Sequence, residues 1–267
     1  MDHSPIITLT TDFGYRDPFV GIMKGVILKI NPLATIIDIT HDITPQNIRE
    51  ASFSIGTSYH YFPQRTIHVV VVDPGVGSSR RPLLVTAGLH YFIGPDNGLF
   101  SRVYETAEDL SVLHVTADHY FLSREGSTFD GRDVFAPLSG WLSKGIQIEK
   151  FGDPIDDYVK LPSSVPLMKK DDTIEGEVFY VDHFGNLITN ISGKEIRTFT
   201  ESRPGRSLKI RARGADIPFA EFYSQAADDG MHCVINSFGY LELFVNNGNA
   251  SSIHGMKAGE KVEVFLS

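Results

Sequence analysis

Cysteine is almost absent from this sequence of 267 residues: Cys233 alone excludes an intrachain disulfide and any multi-cysteine metal site, and it fits a reducing compartment. No apolar run reaches the roughly 18 residues that span a bilayer, and Met1–Pro5 is too short and too polar to begin a secretory signal. Basic residues are in deficit, because 24 Lys and Arg face 33 Asp and Glu, for a net charge of -9. That balance disfavours nucleic-acid and anionic membrane partners, and we predict a cytoplasmic protein.

Several common catalytic motifs are also missing. The sequence contains no G-x-x-x-x-G-K-[ST], H-E-x-x-H or G-x-S-x-G, which argues against a P-loop, a zinc protease site and a nucleophile elbow. Gly75 and Gly77 lack the third glycine of a dinucleotide fingerprint, because Arg80 stands in its place. The ten histidines are scattered along the chain. Neither a metal nor a nicotinamide cofactor is therefore expected.

The first 160 or so residues alternate β-branched runs with segments of helical period. This alternation is typical of an α/β layer with a largely parallel sheet. Strands are predicted over residues 6–10, 34–39, 66–72, 83–87 and 90–93. Helices are predicted over 18–30, from an N-cap at Thr44 to about Phe62, and over 135–142.

The composition shifts after residue 150. Pro154, Pro162, Pro166 and the charged run 169–172 predict an exposed connector. Beyond it, strand signals follow one another without convincing helices, over 173–181, 187–191, 208–213, 233–237, 240–245 and 261–266. We predict an α/β domain over 1–165 and a smaller antiparallel β-barrel or sandwich over 172–267.

Polar residues that follow the predicted strands are the first candidates for a site, because doubly wound sheets bind ligands beyond the carboxyl ends of their strands. Asp12 could accept two hydrogen bonds from a ribose diol, or it could cap the following turn. Asp73 and Arg80 end a glycine-rich turn and could meet there, either in a site or as a structural ion pair. Asp130 and Asp133 could supply a helix cap and a second acid in the pocket, and a cap explains Asp133 better than it explains Asp130.

Two turns of the second domain, 182–186 and 236–240, combine a glycine with polar and aromatic residues. Each is a routine turn by itself. Together they offer amide groups and aromatic faces that could hold a purine and an amino acid. The segment 96–98, Asp-Asn-Gly, is predicted to be a hairpin turn and receives no functional role.

Six blocks carry a resemblance that covers nearly the whole chain: TTDFG at 10–14, HDITPQNIREA at 41–51, VVDPGVGSSR at 71–80, FDGRDVFAP at 129–137, DHFGNLITNI at 182–191 and NSFGYLELFVNNGNA at 236–250. In this order and spacing they resemble the S-adenosyl-L-methionine hydrolases, hydroxide adenosyltransferases that form adenosine and methionine and are related to the bacterial fluorinase and chlorinase. The resemblance implies an N-terminal α/β domain, a C-terminal β-barrel and no cofactor beyond the substrate. It also implies a homotrimer that holds the substrate between domains of neighbouring subunits.

Position by position, the resemblance makes Asp12 the carboxylate that binds the ribose diol. It makes Asp182 the acid that meets the methionine ammonium and Ser237 the hydroxyl that meets the methionine carboxylate. The positions that resemble adenosyl contacts are Phe184, Asn186 and, by spacing rather than by motif, Phe222.

Asp73 and Arg80 resemble two members of the family's Asp-Arg-His set around the attacking water. The third member departs, because this chain reads Phe129-Asp130-Gly131-Arg132-Asp133 where relatives commonly read Phe-His-Gly-Arg-Asp. We predict that Asp130 replaces the imidazole in the water's hydrogen-bond network. The loss of the histidine leaves a non-catalytic S-adenosylmethionine-binding protein as the alternative. A halogenase is disfavoured, because two carboxylates would repel halide and the halogenating relatives have a tyrosine in place of Asp73.

Overall fold

A computed structural model of the protein describes residues 4–123, 126–162, 165–169, 172–226 and 228–267. The chain divides into two compact units, Met1–Pro162 and Ser163–Ser267, and each contains its own β-sheet. The predicted connector is partly regular, because Gly152–Pro154 and Leu167–Lys169 are strands paired with neighbours. Lys170 and Asp171 of its charged run lie outside the described residues.

The sheet of the first unit is mixed. Its seven strands are β1 (Ile6–Thr11), β2 (Thr35–Thr40), β3 (Ile67–Val71), β4 (Pro82–Ala87), β5 (His90–Pro95), β6 (Leu110–Val115) and β7 (Gly152–Pro154). They lie in the order β2-β1-β3-β5-β4-β6-β7. The pairings from β2 to β5 are parallel, and those from β5 to β7 are antiparallel. The carboxyl ends of β1 and β3 therefore lie at the same edge of the sheet.

The α-helices described in this unit are α1 (Phe19–Ile30), α2 (Ile48–Ser58), α3 (Ser101–Thr106) and α4 (Ala136–Ser143). Single 3₁₀ turns lie at Tyr59–Tyr61, Asp118–Tyr120 and Ile148–Lys150. The predicted N-cap of α2 at Thr44 is wrong. Gln46 has φ of 68° and interrupts the helical path, and Asn47 caps the helix by accepting a hydrogen bond from the Glu50 backbone N–H at 3.1 Å. Within the described ranges, no helix is both long and apolar enough to cross a bilayer.

Strand β3 explains why the sheet is covered on both faces. Ile67, Val69 and Val71 pack in one core with apolar residues of α1 and α4. Val70 and the adjoining Val72 pack in another core with residues of α2 and α3. Because successive side chains of a strand point to opposite faces, a continuous apolar run indicates burial on both sides. The result is the α/β layer that the sequence predicts.

The Asp-Asn-Gly segment at 96–98 does not form a hairpin, because it leads from β5 into α3. Asp96 is buried and accepts a hydrogen bond from Arg81 Nε at 2.8 Å and another from the Val159 backbone N–H at 2.7 Å. Arg81 also donates to Asp157 at 2.6 Å. This carboxylate therefore fastens the segment after β7 to the sheet.

The second unit is an antiparallel barrel. Its strands are β8 (Leu167–Lys169), β9 (Thr173–Val181), β10 (Leu187–Ser192), β11 (Leu208–Ala212), β12 (Ala215–Ile217), β13 (Met231–Ile235), β14 (Tyr240–Val245) and β15 (Lys261–Leu266). Their order is β12-β11-β15-β9-β10-β14-β13, with β8 on β9. The residues after β12 pair with Cys233 of β13, through backbone bonds to Pro218 and Ala220, so the two ends of the sheet meet.

The described part of this unit also contains the α-helices α5 (Gly193–Glu201) and α6 (Ala250–His254) and a 3₁₀ turn at Tyr223–Gln225, although the sequence shows no convincing helical pattern between the strands. Helix α5 begins with a capping box, in which Ser192 accepts from the Glu195 backbone N–H and the Glu195 carboxylate accepts from the Ser192 backbone N–H. Its Ile196 and Phe199 are buried in the barrel core. Ser192 and Glu195 have the spacing of a capping box, which is a sequence signal for a helix start.

Candidate active site

The loop after β3 folds back on itself at the carboxyl edge of the sheet. The Val76 backbone N–H donates to the Asp73 carbonyl at 3.2 Å, and the Ser78 hydroxyl donates to the Gly75 carbonyl at 2.6 Å. Gly77 has φ of 79°, and a Cβ there would lie 2.8 Å from the Ser127 carbonyl oxygen. Glycine is therefore required at this position, and the tight turn returns Arg80 to the start of the loop.

Arg80 binds two carboxylates at once. Its Nε donates to Asp73 Oδ1 at 2.8 Å and its Nη2 donates to Asp130 Oδ2 at 2.6 Å, while Nη2 also contacts Asp73 Oδ2. The side chains of Arg80, Asp73 and Asp130 are only 10%, 5% and 7% exposed. The structure thus brings together the three residues that were predicted to be catalytic. Two of them, Asp73 and Asp130, are far apart in the sequence.

Asp130 reaches Arg80 because the chain enters α4 through an irregular turn. Gly131–Phe135 forms one π-helical turn, in which the Ala136 N–H donates to the Gly131 carbonyl. Such π turns are frequent at functional sites. Asp130 precedes this turn and its side chain makes no capping bond, whereas Asp133 lies inside the turn and binds Arg132 Nε at 2.6 Å. The helix-cap interpretation of Asp130 and Asp133 is therefore wrong.

The charges of this cluster are unequal in number. Burial raises the pKa of Asp73 and the Asp130 carboxylate adds to the rise, while the hydrogen bonds from Arg80 oppose it. Burial also disfavours the charge on Arg80, but its hydrogen bonds to Asp73 and Asp130 outweigh this and raise its pKa. Arg80 consequently stays protonated, and its single positive charge faces two carboxyl groups. Such a cluster attracts a cation and can accept a proton.

Asp12 lies directly after β1 and is partly buried. Its Oδ2 accepts a hydrogen bond from the Gln46 backbone N–H at 2.8 Å, across the sheet edge. The bond joins loops that follow two neighbouring strands and does not cap the turn after Asp12. Each carboxylate oxygen offers two acceptor positions, so hydrogen bonding to a diol is compatible with this contact.

In the second unit, Asp182 organises the hairpin between β9 and β10. Asp182 Oδ1 accepts from the Asn186 backbone N–H at 2.8 Å, and its Oδ2 accepts from Asn186 Nδ2 at 3.0 Å. Gly185 has φ of 84°, and a Cβ there would collide with the Asn249 side chain. Asn186 is buried, whereas Phe184 is 72% exposed at the tip of the hairpin. The hairpin therefore combines an exposed aromatic ring with a fixed carboxylate and a fixed amide.

Ser237 lies in an exposed turn that a neighbouring amide fixes. Asn236 Oδ1 accepts from the backbone N–H groups of Phe238 and Tyr240 at 3.0 and 3.1 Å. Asn236 Nδ2 donates to Glu242 Oε2 at 2.9 Å. Glu242 itself was missed in the sequence, although a glutamate between two leucines in a predicted strand interior is a visible signal of a buried carboxylate.

Glu242 connects this turn to the segment that carries Phe222. Its Oε1 accepts from the Tyr223 hydroxyl at 2.7 Å, while Phe222 is 56% exposed beside it in the sequence. Burial raises the pKa of Glu242 and the charge of Asp182 adds to the rise, against the hydrogen bonds from Tyr223 and Asn236. The predicted substrate-binding residues of this unit thus lie on three segments, and Glu242 joins two of them.

Among the residues that the structure describes, no group of three or more His, Cys, Asp or Glu side chains is arranged to hold a metal ion. The Asp73–Arg80–Asp130 cluster contains two carboxylates already bound to a guanidinium. Its donor set fits an organic cation and a water molecule better than a metal ion.

Known proteins resemble the chain along its whole length. A relative from Salinispora arenicola, named (R)-S-adenosyl-L-methionine hydrolase, is 34% identical over 99% of each chain. Three further relatives of that name are 30 to 35% identical. A fluorinase from Nocardia brasiliensis is 26% identical, over 97% of this chain and 96% of its own. A solved structure of an uncharacterized conserved protein from Thermotoga maritima matches with a TM-score of 0.88 and 33% identity, covering 97% of this chain and 99% of that one.

Two family models match the chain, one in each of its two units. The model for the N-terminal domain of SAM hydroxide adenosyltransferases matches residues 7–152, which include the Asp73–Arg80–Asp130 cluster. The model for the C-terminal domain matches residues 176–263, which include the Asp182 hairpin and the Ser237 turn. With both domains matched in order and with relatives similar from end to end, the chain belongs to the SAM hydroxide adenosyltransferase family.

Proposed function

We propose that the protein hydrolyses S-adenosyl-L-methionine at the ribose C5′, giving adenosine and L-methionine. The observation that carries this proposal is the buried Arg80 that binds Asp73 and Asp130 together, at the positions that resemble the water-binding set of the family. A water oxygen forms a bond to C5′ while the C5′–S bond breaks. The electron pair of the C5′–S bond leaves with sulfur. Because the sulfonium leaves as a neutral thioether, the reaction needs no acid for the leaving group.

The site must therefore position and activate the water. Asp73 accepts the water's proton as the C–O bond forms, and Arg80 stabilises the developing hydroxide character. General-base assistance of this kind contributes roughly 10² to 10⁴ in rate. The two carboxyl groups of the cluster, set against one guanidinium, favour the sulfonium cation and disfavour halide as the nucleophile.

The remaining predicted residues have roles in holding the substrate. Asp12 binds the ribose diol, and Asp182 and Ser237 bind the amino-acid part. The adenosyl contacts are Phe184, Asn186 and Phe222. The exposure of both phenylalanines leaves their faces available for stacking.

The direct test is product analysis in ¹⁸O-labelled water, with both sulfonium epimers because the relatives are named for the (R) form. We expect adenosine with the label on its 5′-oxygen, unlabelled methionine and the same rate with or without EDTA. A loss of activity with EDTA that a divalent ion restores would contradict the metal-free mechanism. 5′-Chloroadenosine as the main product in chloride would contradict water as the nucleophile, and binding without turnover in calorimetry would favour the non-catalytic alternative.

The active unit is a homotrimer in which Asp12 of one subunit and Ser237 of its neighbour serve the same substrate molecule. Asp12→Ala and Ser237→Ala are each expected to abolish most activity in the homomeric enzymes. Co-assembled from a mixture, the two variants should recover part of the wild-type rate, because some interfaces then contain both native residues. A fully active monomer in sedimentation, or a mixture with no recovered activity, would contradict the shared site.

Asp130→His restores the histidine that relatives commonly have, and we expect it to keep or raise kcat. The imidazole can hydrogen-bond the water while Arg80 remains bound to Asp73. Asp130→Ala should lower kcat and shift the pH profile, because the water then has one partner fewer. If neither variant changes kcat or its pH profile, Asp130 serves only to hold Arg80 and Asp73 activates the water without it.

A further inference from the structure

The imidazole of His41, fully buried, lies between a threonine and an aspartate at the edge of the first sheet. Its Nδ1 is 2.8 Å from Thr11 Oγ1, and its Nε2 is 3.0 Å from Asp38 Oδ1. The Thr11 hydroxyl and the His41 Nδ1 share a hydrogen bond, and the Asp38 carboxylate lies within ion-pair distance of the other ring nitrogen. The two contacts hold the imidazole from opposite sides.

Both ends of this series of side-chain contacts are anchored. Asp38 Oδ2 accepts from Lys24 Nζ of α1 at 2.6 Å and from the Tyr15 hydroxyl at 3.2 Å. At the other end, Thr11 Oγ1 accepts from the Phe13 backbone N–H at 3.2 Å. These side-chain contacts therefore connect α1, through β2, to the backbone of residues 11–13. Asp12 lies between Thr11 and Phe13, the last two residues that they join.

The loop that begins at His41 reaches the same place a second time. The His41 carbonyl accepts from the Gly14 N–H at 2.8 Å, and the Gln46 N–H donates to Asp12 Oδ2 at 2.8 Å. The backbone of Gln46 has φ of 68°, a value that residues other than glycine rarely adopt. Strained backbone of this kind persists where the surrounding structure requires it. His41 thus controls Asp12 through Thr11 and through the loop that donates to the Asp12 carboxylate.

We propose that His41, held by Asp38, is a positioning residue for Asp12 and sets the affinity of the protein for the ribose hydroxyls of its nucleoside ligand. The inference rests on the proposed role of Asp12 in binding the ribose diol. His41 and Thr11 are buried, so we expect them to affect the ligand through Asp12 and not by direct contact. Their loss should weaken binding only of ligands that carry those hydroxyls.

The test compares two nucleosides by calorimetry on the full-length protein: adenosine and 2′,3′-dideoxyadenosine, which lacks both hydroxyls. His41→Phe and the isosteric Thr11→Val are the variants. We expect each to raise the Kd of adenosine on the order of 10- to 100-fold, as misplacement of a binding group by about an ångström does. The Kd of 2′,3′-dideoxyadenosine should stay within about twofold of the wild-type value. Combined with Asp12→Asn, neither variant should add a further loss of adenosine affinity.

The same strand supplies a matched control. Thr8 Oγ1 lies 2.8 Å from His68 Nδ1, and both residues are buried, as in the Thr11–His41 pair. Thr8 is nearer the other end of β1, and the hydrogen-bonding partners of the His68 imidazole in the described residues are Thr8 and His90, neither of them a carboxylate. Thr8→Val and His68→Phe should therefore leave the ratio of the two Kd values unchanged, even where they lower the melting temperature.

Equal weakening of both nucleosides in His41→Phe and Thr11→Val would overturn the inference, because it would indicate a general structural defect. Unchanged adenosine affinity in Thr11→Val would overturn it as well. Equal affinity of the wild-type protein for both nucleosides would also overturn the inference, because Asp12 would then not bind the ribose hydroxyls. A wild-type protein that prefers adenosine but releases none from S-adenosylmethionine would contradict only the proposed hydrolysis and would leave the positioning role supported.

Discussion

Asp73→Asn should lower kcat for adenosine release by about 10² to 10⁴, the usual contribution of a general base. The amide still fills the space beside Arg80 and can accept one of its hydrogen bonds, but it cannot take a proton from water. KM should change little, because the substitution affects the nucleophile and leaves the groups that hold the substrate in place. Single-turnover measurements of product formation separate this effect from product release.

The pH profile provides a second measure of the same group. Burial raises the pKa of Asp73 above its ordinary value, so protonation of the base begins at a higher pH than for an exposed aspartate. Wild-type kcat should therefore fall as the pH decreases through that raised pKa, and Asp73→Asn should lose this limb of the profile. Asp130 shares the guanidinium with Asp73 and adds to the rise in the pKa of Asp73, so the position of the limb depends on both residues.

Asp96→Asn is the matched control for Asp73→Asn. The Asp96 side chain is 3% exposed and that of Asp73 is 5% exposed, and the Asp96 carboxylate also accepts a hydrogen bond from an arginine Nε at 2.8 Å, that of Arg81. It differs in that its partners fasten a surface segment. A comparable fall in kcat in Asp96→Asn would mean that loss of any buried arginine–aspartate pair disables the enzyme, and would contradict the base role of Asp73.

The sequence predicted most strands of both sheets, because β-branched runs and alternation record burial directly. It did not predict which strands pair antiparallel. Strands β4 and β5 are joined by the two residues Gly88 and Leu89, which forces a hairpin inside a sheet that otherwise begins as parallel. Short helices were also missed: α5 has nine residues, and its strands on either side dominate the local pattern.

The same contrast holds for the candidate site. The pairing of Asp73 with Arg80 was predicted from the turn that separates them, since the six residues between them include two glycines and can fold back. The contact of Arg80 with Asp130 is long-range and came from the family resemblance. The roles of His41 and Glu242 depend on which buried polar atoms meet across strands, and neither residue has a local motif that shows its partners.

Arg80→Met should destabilise the folded protein by about 3 to 5 kcal/mol at neutral pH, the usual cost of removing one partner from a buried ion pair. Methionine keeps much of the side-chain volume against Phe135, over whose ring the guanidinium lies at 5.5 Å, but it leaves the Asp73 and Asp130 carboxylates buried together without a counter-charge. Urea unfolding of the variant and the wild type measures the difference.

The sign of the pH dependence distinguishes this electrostatic cause from a packing defect. Arg80 opposes the rise in the pKa of Asp73, so its removal raises that pKa further. A folded-state pKa above the unfolded value means that the folded state binds more protons in the interval between them, so stability decreases as the pH rises through it. The loss of stability in Arg80→Met should therefore be largest at neutral pH and shrink as the pH falls towards the unfolded-state pKa.

The triple variant Asp73→Asn, Arg80→Met, Asp130→Asn removes all three ionisable groups and should recover most of the lost stability without recovering activity. A deficit that is independent of pH and persists in the triple variant would show that Arg80 contributes mainly through packing.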